Sequence, residues 1–130
     1  MSTRREYRVA GQAEPISHFT DAVAAGDLLF VSGVIAVDES RQLVGGDDVA
    51  AQARKVFENM GEVLAAAGCT FADVVKITVF LTDVNDRPLV NPVRQEVFGD
   101  TRPASTLVEV SALVVPGAKI EVEAVALIPS

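Results

Sequence analysis

The sequence predicts an α+β domain: one mixed sheet with two helices covering a single face. Three observations lead there. Apolar residues recur every three or four positions from Val49 to Ala67, a one-sided helix pattern. Asp73–Leu81 (DVVKITVFL) is rich in β-branched residues and reads as a buried strand. The predicted elements run strands, helix, strand, helix, strands, an order suited to helices packed on one side of a sheet. The opposite face is then left bare, and a half-apolar bare face is a natural oligomer surface.

The elements follow in chain order. Ala22–Ala25 and Leu28–Ser32 flank Gly26-Asp27, a hairpin signal between two apolar runs. A short run, Ile35–Val37, leads into a polar loop ending at Gly45-Gly46, after which Asp47 or Asp48 can cap the first helix. That helix spans Val49–Ala67, with Val49, Ala53, Val56, Met60, Val63/Leu64 and Ala67 on its apolar face and Gly68 as its stop. After the Asp73–Leu81 strand, Thr82–Pro88 reads as a turn and Leu89–Phe98 as a second helix, with Pro92 in its first turn. Two strand patterns, Ser105–Val110 and Lys119–Leu127, close the chain around a loop containing Pro116-Gly117. Residues 1–14 form an N-terminal segment of a single domain spanning 1–130.

Composition narrows the function. A chain of 130 residues buries roughly two-thirds of the surface it exposes when unfolded, enough for a real core. A net charge of −7 argues against a phosphate-backbone partner, and six Phe, one Tyr and no Trp leave no stacking platform for single-stranded nucleic acid. The one cysteine, Cys69, excludes an internal disulfide and reads as a small buried residue. No apolar run approaches the roughly 20 residues of a membrane helix, and the N-terminus is no signal peptide, so a cytoplasmic protein without membrane contact is expected.

No standard catalytic signature is present. Alternation along the last strands puts Ser105, Leu107 and Glu109 on one face and Glu121 and Glu123 on another of the same kind. All five are expected on the bare face, beside Lys76, Thr78 and Phe80 or their alternates. Glu121 and Glu123 read either as a water-positioning base or as an interface ion pair with Lys76, Lys119 or an arginine of another subunit. Asn91 reads as a helix cap, and Gly33 as a strand end whose backbone N–H could approach a ligand. The lone His18 reads as a loop residue or, more sharply, a pocket-edge proton donor.

A set of short motifs recurs in order: Ala25-Gly26-Asp27-Leu28, Val31-Ser32-Gly33, Gln52, Ala67-Gly68, Asp73–Lys76, Val79–Asp83, Asn91, Phe98, Pro103-Ala104, Val108–Val110 and Ile120–Ala124. Together, from about Pro15 to Leu127, they closely resemble the Rid (reactive intermediate deaminase, or YjgF) family. The resemblance implies a chorismate-mutase-like fold and a homotrimer with small-molecule sites between subunits. It also implies hydrolysis of enamines and imines to 2-oxo acids and ammonia, with no metal or cofactor. Gly33, Asn91 and Glu121 match family site positions for substrate orientation and water positioning. Ser105 stands where the family carries a carboxylate-binding arginine, Phe19 where it carries a tyrosine, Leu107 where a cysteine is common, and Val34 where a glutamine is common. Loss of a charge-assisted contact worth on the order of 1.5–3 kcal/mol implies altered substrate choice, toward a neutral or larger imine in a more apolar pocket. Arg4, Arg5 and Arg102 are candidates to replace the missing charge. The alternative is a non-catalytic small-molecule-binding or regulatory trimer; the endoribonuclease activity attached to some family names fits poorly with the net charge.

Overall fold

The computed structural model describes residues 3–130 and places six strands in one sheet. They are β1 (Arg4–Tyr7), β2 (Ala22–Ala25), β3 (Leu28–Ile35), β4 (Val74–Leu81), β5 (Ala104–Glu109) and β6 (Ile120–Leu127). The helices are α1 (Val49–Ala66) and α2 (Arg87–Phe98). The strand order is β1-β2-β3-β6-β4-β5, antiparallel throughout except that β5 runs parallel to β4. A parallel neighbour needs a crossover, and α2 supplies it between β4 and β5.

Local chemistry accounts for the element ends. Gly26, at φ 62°, lets Ala25 and Leu28 pair across a two-residue turn. Asp48 accepts from the Ala50 and Ala51 N–H groups at 3.0 and 3.2 Å, capping α1. At the other end Gly68 takes φ 77°, and the Cys69 N–H reaches back to the Leu64 carbonyl at 2.9 Å. The first helix therefore lies where periodicity placed it, to one residue.

The second helix begins two residues earlier than expected, at Arg87 rather than Leu89, with Pro88 in its first turn. Pro92 consequently sits inside the helix instead of its first turn, where it has no N–H for the carbonyl four residues back. Asn91 is likewise within the helix and not its cap; Asp86 occupies that position.

β1 was not expected. Its sequence, RREY, has no apolar alternation, yet it pairs with β2 from Arg4↔Ala25 to Tyr7↔Ala22. The charged, exposed side chains suit an edge strand that must not recruit another. β3 is also longer than expected. Gly33 does not end the strand but lies in a register shift between Val31 and Val34, where three steps of β3 face two of β6.

The core lies between the sheet and the two helices. Ala22, Leu29, Ile77, Val79, Leu81, Ile120, Val122 and Ala126 on the sheet meet Val56, Phe57, Met60 and Leu64 of α1 and Val90 and Val93 of α2. Phe57, Phe71 and Phe98 form an edge-to-face triad with centroids 5.5 to 6.2 Å apart, joining the two helices. Gln52 is fully buried at the start of α1. Its amide donates to the Gly46 and Gly117 carbonyls at 2.7 and 3.0 Å and accepts from the Lys119 N–H at 2.8 Å. This one side chain fastens α1 to the loop entering β6.

Candidate active site

The bulge at Ser32-Gly33 and the adjacent strand β6 bring Gly33 against Glu121. A Cβ built at Gly33 would lie 2.8 Å from Glu121 Cδ and closer still to Oε2. Only glycine leaves that space to the carboxylate, so the close approach rather than any positive φ fixes the residue here. Burial pushes the Glu121 carboxyl above the usual carboxylate range, and the neighbouring Glu123 carboxylate adds to the shift. Neither glutamate forms an ion pair among the described residues, and Lys76 instead donates to Thr106 Oγ1 at 2.7 Å. The ion-pair reading of Glu121 is therefore not met within one protomer.

Glu121 and Gly33 open into a cleft of about 410 Å³, lined also by Phe19, Ser17, Val34, Arg41, Asn59 and Val114. The segment over this cleft is tied down by Arg8, which pairs with Asp21 at 2.8 Å and donates to the Gln12 carbonyl at 2.9 Å. Arg41 Nε donates to the Glu14 carbonyl at 2.9 Å. Phe19 is thus presented half-exposed as an apolar wall. His18 is exposed and does not line the cleft, although both its neighbours do. Cys69 is buried, and burial, with Asp73 nearby, pushes its thiol pKa up, which fits a packing role.

The remaining expected site residues lie elsewhere. Glu121 pairs with Phe80 and Glu123 with Thr78, so these four share the bare face. Ser105 pairs with Ile77, Leu107 with Val79 and Glu109 with Leu81, all core residues of β4. Ser105, Leu107 and Glu109 therefore belong to the helix-covered side, and the expectation of one shared face is corrected. Leu107 packs against the core. Ser105 accepts a hydrogen bond from Arg94 Nη2 of α2 at 2.7 Å. Its surroundings are accordingly not apolar.

Arg94 was missed from the sequence, although a signal existed. It lies three residues after Asn91 in a predicted helix, and that spacing puts both on one face. Of the other candidate arginines, Arg4 pairs with Glu6 at 2.7 Å, Arg5 lies over the Tyr7 ring at 4.8 Å, and Arg102 is exposed. Two groups result: Phe19, Gly33 and Glu121 in the cleft, and Asn91, Arg94 and Ser105 across the sheet. No helix of the described residues is long and apolar enough to cross a membrane, and none of their His, Cys, Asp and Glu side chains form a group placed to hold a metal ion.

Comparison with known proteins locates this architecture. The family model described as Endoribonuclease L-PSP matches residues 10–128. A human 2-iminobutanoate/2-iminopropanoate deaminase is 42% identical over 125 residues, 95% of this chain and 90% of that protein. A RutC family protein of Pyrococcus horikoshii is 41% identical over 113 residues, covering 87% and 89%. The crystal structure of RidA from an Antarctic Psychrobacter species superposes with a TM-score of 0.89 at 32% identity, over 95% of this chain and 99% of that one. With residues 10–128 of the 130 matched by the family model and the fold shared with solved members, the chain belongs to the YjgF/Rid (endoribonuclease L-PSP) family.

Proposed function

We propose that this protein is a metal-independent enamine/imine hydrolase that releases ammonia from a reactive imine metabolite. The observation that carries the reading is the Glu121 carboxylate, half-withdrawn from water and held over the Gly33 backbone at the mouth of a cleft large enough for a small metabolite. The imine deaminase activity named for the human relative supports it. A carboxylate held above its usual pKa range is a stronger base than a solvated one. Water adds to the C=N carbon of the iminium and gives a proton to Glu121. The resulting carbinolamine takes that proton back on nitrogen, ammonia leaves, and loss of the hydroxyl proton forms the 2-oxo product.

By register Glu121 and Ser105 lie on opposite faces of one sheet, which sets Glu121 apart from the Arg94–Ser105 pair within one protomer. A homotrimer typical of the family, with the bare face of one copy against the β5 edge of the next, would unite them. A sedimentation mass equal to one chain would rule this out. The net charge of −7 does not favour an RNA substrate.

The test is ammonia release from freshly generated 2-aminoacrylate/2-iminopropanoate, followed beside the same imine in buffer. Release well above the buffer rate is expected. Release at the buffer rate, together with ligand-dependent thermal stabilisation, would instead mark a binding protein.

Gly33→Ala provides a second check. The new methyl must displace the Glu121 carboxyl by about an ångström, and misplacement on that scale costs up to about 100-fold in rate. The displaced group is the end of a flexible side chain, so the melting temperature should scarcely change. Unaltered turnover would separate Glu121 from the chemistry.

A further inference from the structure

Arg94 of α2 is partly buried, and its one side-chain hydrogen bond among the described residues goes to Ser105 Oγ of β5. It forms no ion pair there, whereas Arg4 and Arg8 are both paired. Burial alone draws its pKa down, the mark of a cation losing water without gaining a counter-ion. A guanidinium partly withdrawn from water and paired with no carboxylate among the described residues is a ready partner for an anion. Asn91, one turn earlier on the same face of α2, is also partly buried and makes no side-chain hydrogen bond among the described residues. The guanidinium has five N–H donors in a planar fork, and Ser105 uses only one nitrogen. The rest of the fork matches the two oxygens of a carboxylate.

We propose that Arg94, oriented by Ser105 and flanked by Asn91, binds the substrate carboxylate, so that the substrate is an anionic 2-imino acid and not a neutral imine. This rests on the hydrolase reading above, with Arg94 of one copy serving the Glu121 cleft of its neighbour. Ser105 then marks a relocation of positive charge from strand to helix and not its loss: a short side chain on β5 leaves room for the long one arriving from α2.

Two measurements on the full chain test this separately from the hydrolase reading. The first is titration with 2-oxopropanoate, an unreactive carboxylate of the same shape, read by calorimetry. Arg94→Gln is expected to weaken its binding about 10- to 100-fold, and Arg94→Lys by less. The second compares turnover of 2-iminopropanoate with that of its neutral carboxamide. Arg94→Gln should raise KM for the acid by a similar factor and leave the amide unaffected. Equal loss on acid and amide, or unchanged 2-oxopropanoate binding, would overturn the assignment. If Arg94→Gln does not fold, an Arg94→Lys variant indistinguishable from Arg94→Gly in 2-oxopropanoate affinity would do the same. If wild type hydrolyses neither substrate but loses 2-oxopropanoate binding in Arg94→Gln, the anion site stands and the hydrolase reading falls. If wild type hydrolyses the acid and Arg94→Gln does so with unchanged KM, the hydrolase stands and the anion site falls.

Discussion

Glu121→Gln is expected to lower imine hydrolysis by about 10²- to 10⁴-fold, the usual worth of a positioned general acid–base group. The amide keeps the shape and hydrogen-bonding reach of the carboxyl beside Gly33 but cannot take a proton from water. The loss should fall mainly on kcat, because the carboxylate-binding groups lie on another element. The same variant carries a stability signature of opposite sign. Burial and Glu123 raise the Glu121 pKa in the folded protein, so between the unfolded and folded values the native state holds more protons. Stability contributed by the neutral carboxyl is therefore full in acid and declines as pH rises through that window. Glutamine does not ionise, so the variant should match wild type at low pH and be the more stable of the two at neutral pH. Unfolding curves at acidic and neutral pH would show this. A variant equally active, or progressively less stable than wild type with rising pH, would contradict the role and the electrostatics respectively.

Gln52→Met should destabilise the protein by about 3 kcal/mol while hardly changing side-chain volume. Gln52 is fully buried and satisfies three backbone groups, the Gly46 and Gly117 carbonyls and the Lys119 N–H. Methionine can serve none of them, and each buried orphan costs about 1–3 kcal/mol, less whatever water regains. In a domain of this size that corresponds to a fall in melting temperature of about 10 °C. The effect should reach the site, because Lys119 immediately precedes the strand that carries Glu121. A melting temperature within a degree of wild type would show that the network is dispensable.

Much of the fold was legible because its signals are local. The apolar stripe from Val49, the Asp48 cap and the Gly68 stop each act within a few residues, and they placed α1 to within one. The same holds for the Gly26-Asp27 hairpin. β1 was illegible because a charged edge strand is held by backbone pairing to Ala22–Ala25, and backbone pairing leaves no side-chain pattern. Pro92 misled for a related reason: the preceding turn let α2 begin early and absorbed a proline that propensity alone would exclude.

The site divides in the same way. The sequence by itself, through its family resemblance, nominated candidate side chains: Glu121 on the last strand, Gly33 in a Ser-Gly pair, Phe19 before the first long strand, Asn91 in the second helix, and a serine at 105. Alternation also determined that each strand has two faces. What it cannot determine is how the faces of one strand match those of another, since that depends on register. In β4 the even-numbered residues Thr78 and Phe80 face away from the helices, in β6 the odd-numbered Glu121 and Glu123 do, and in β5 the odd-numbered Ser105 and Leu107 face toward them. Only the tertiary structure decided these parities, through a bulge in β3, a second register shift in β4 and the parallel seating of β5. It thereby put Glu121 and Ser105 on opposite sides of the sheet and brought Arg94 onto Ser105. The physical reason is that a hydrogen-bond register is a relation between distant segments, and one residue of slip turns every side chain of a strand to the other face.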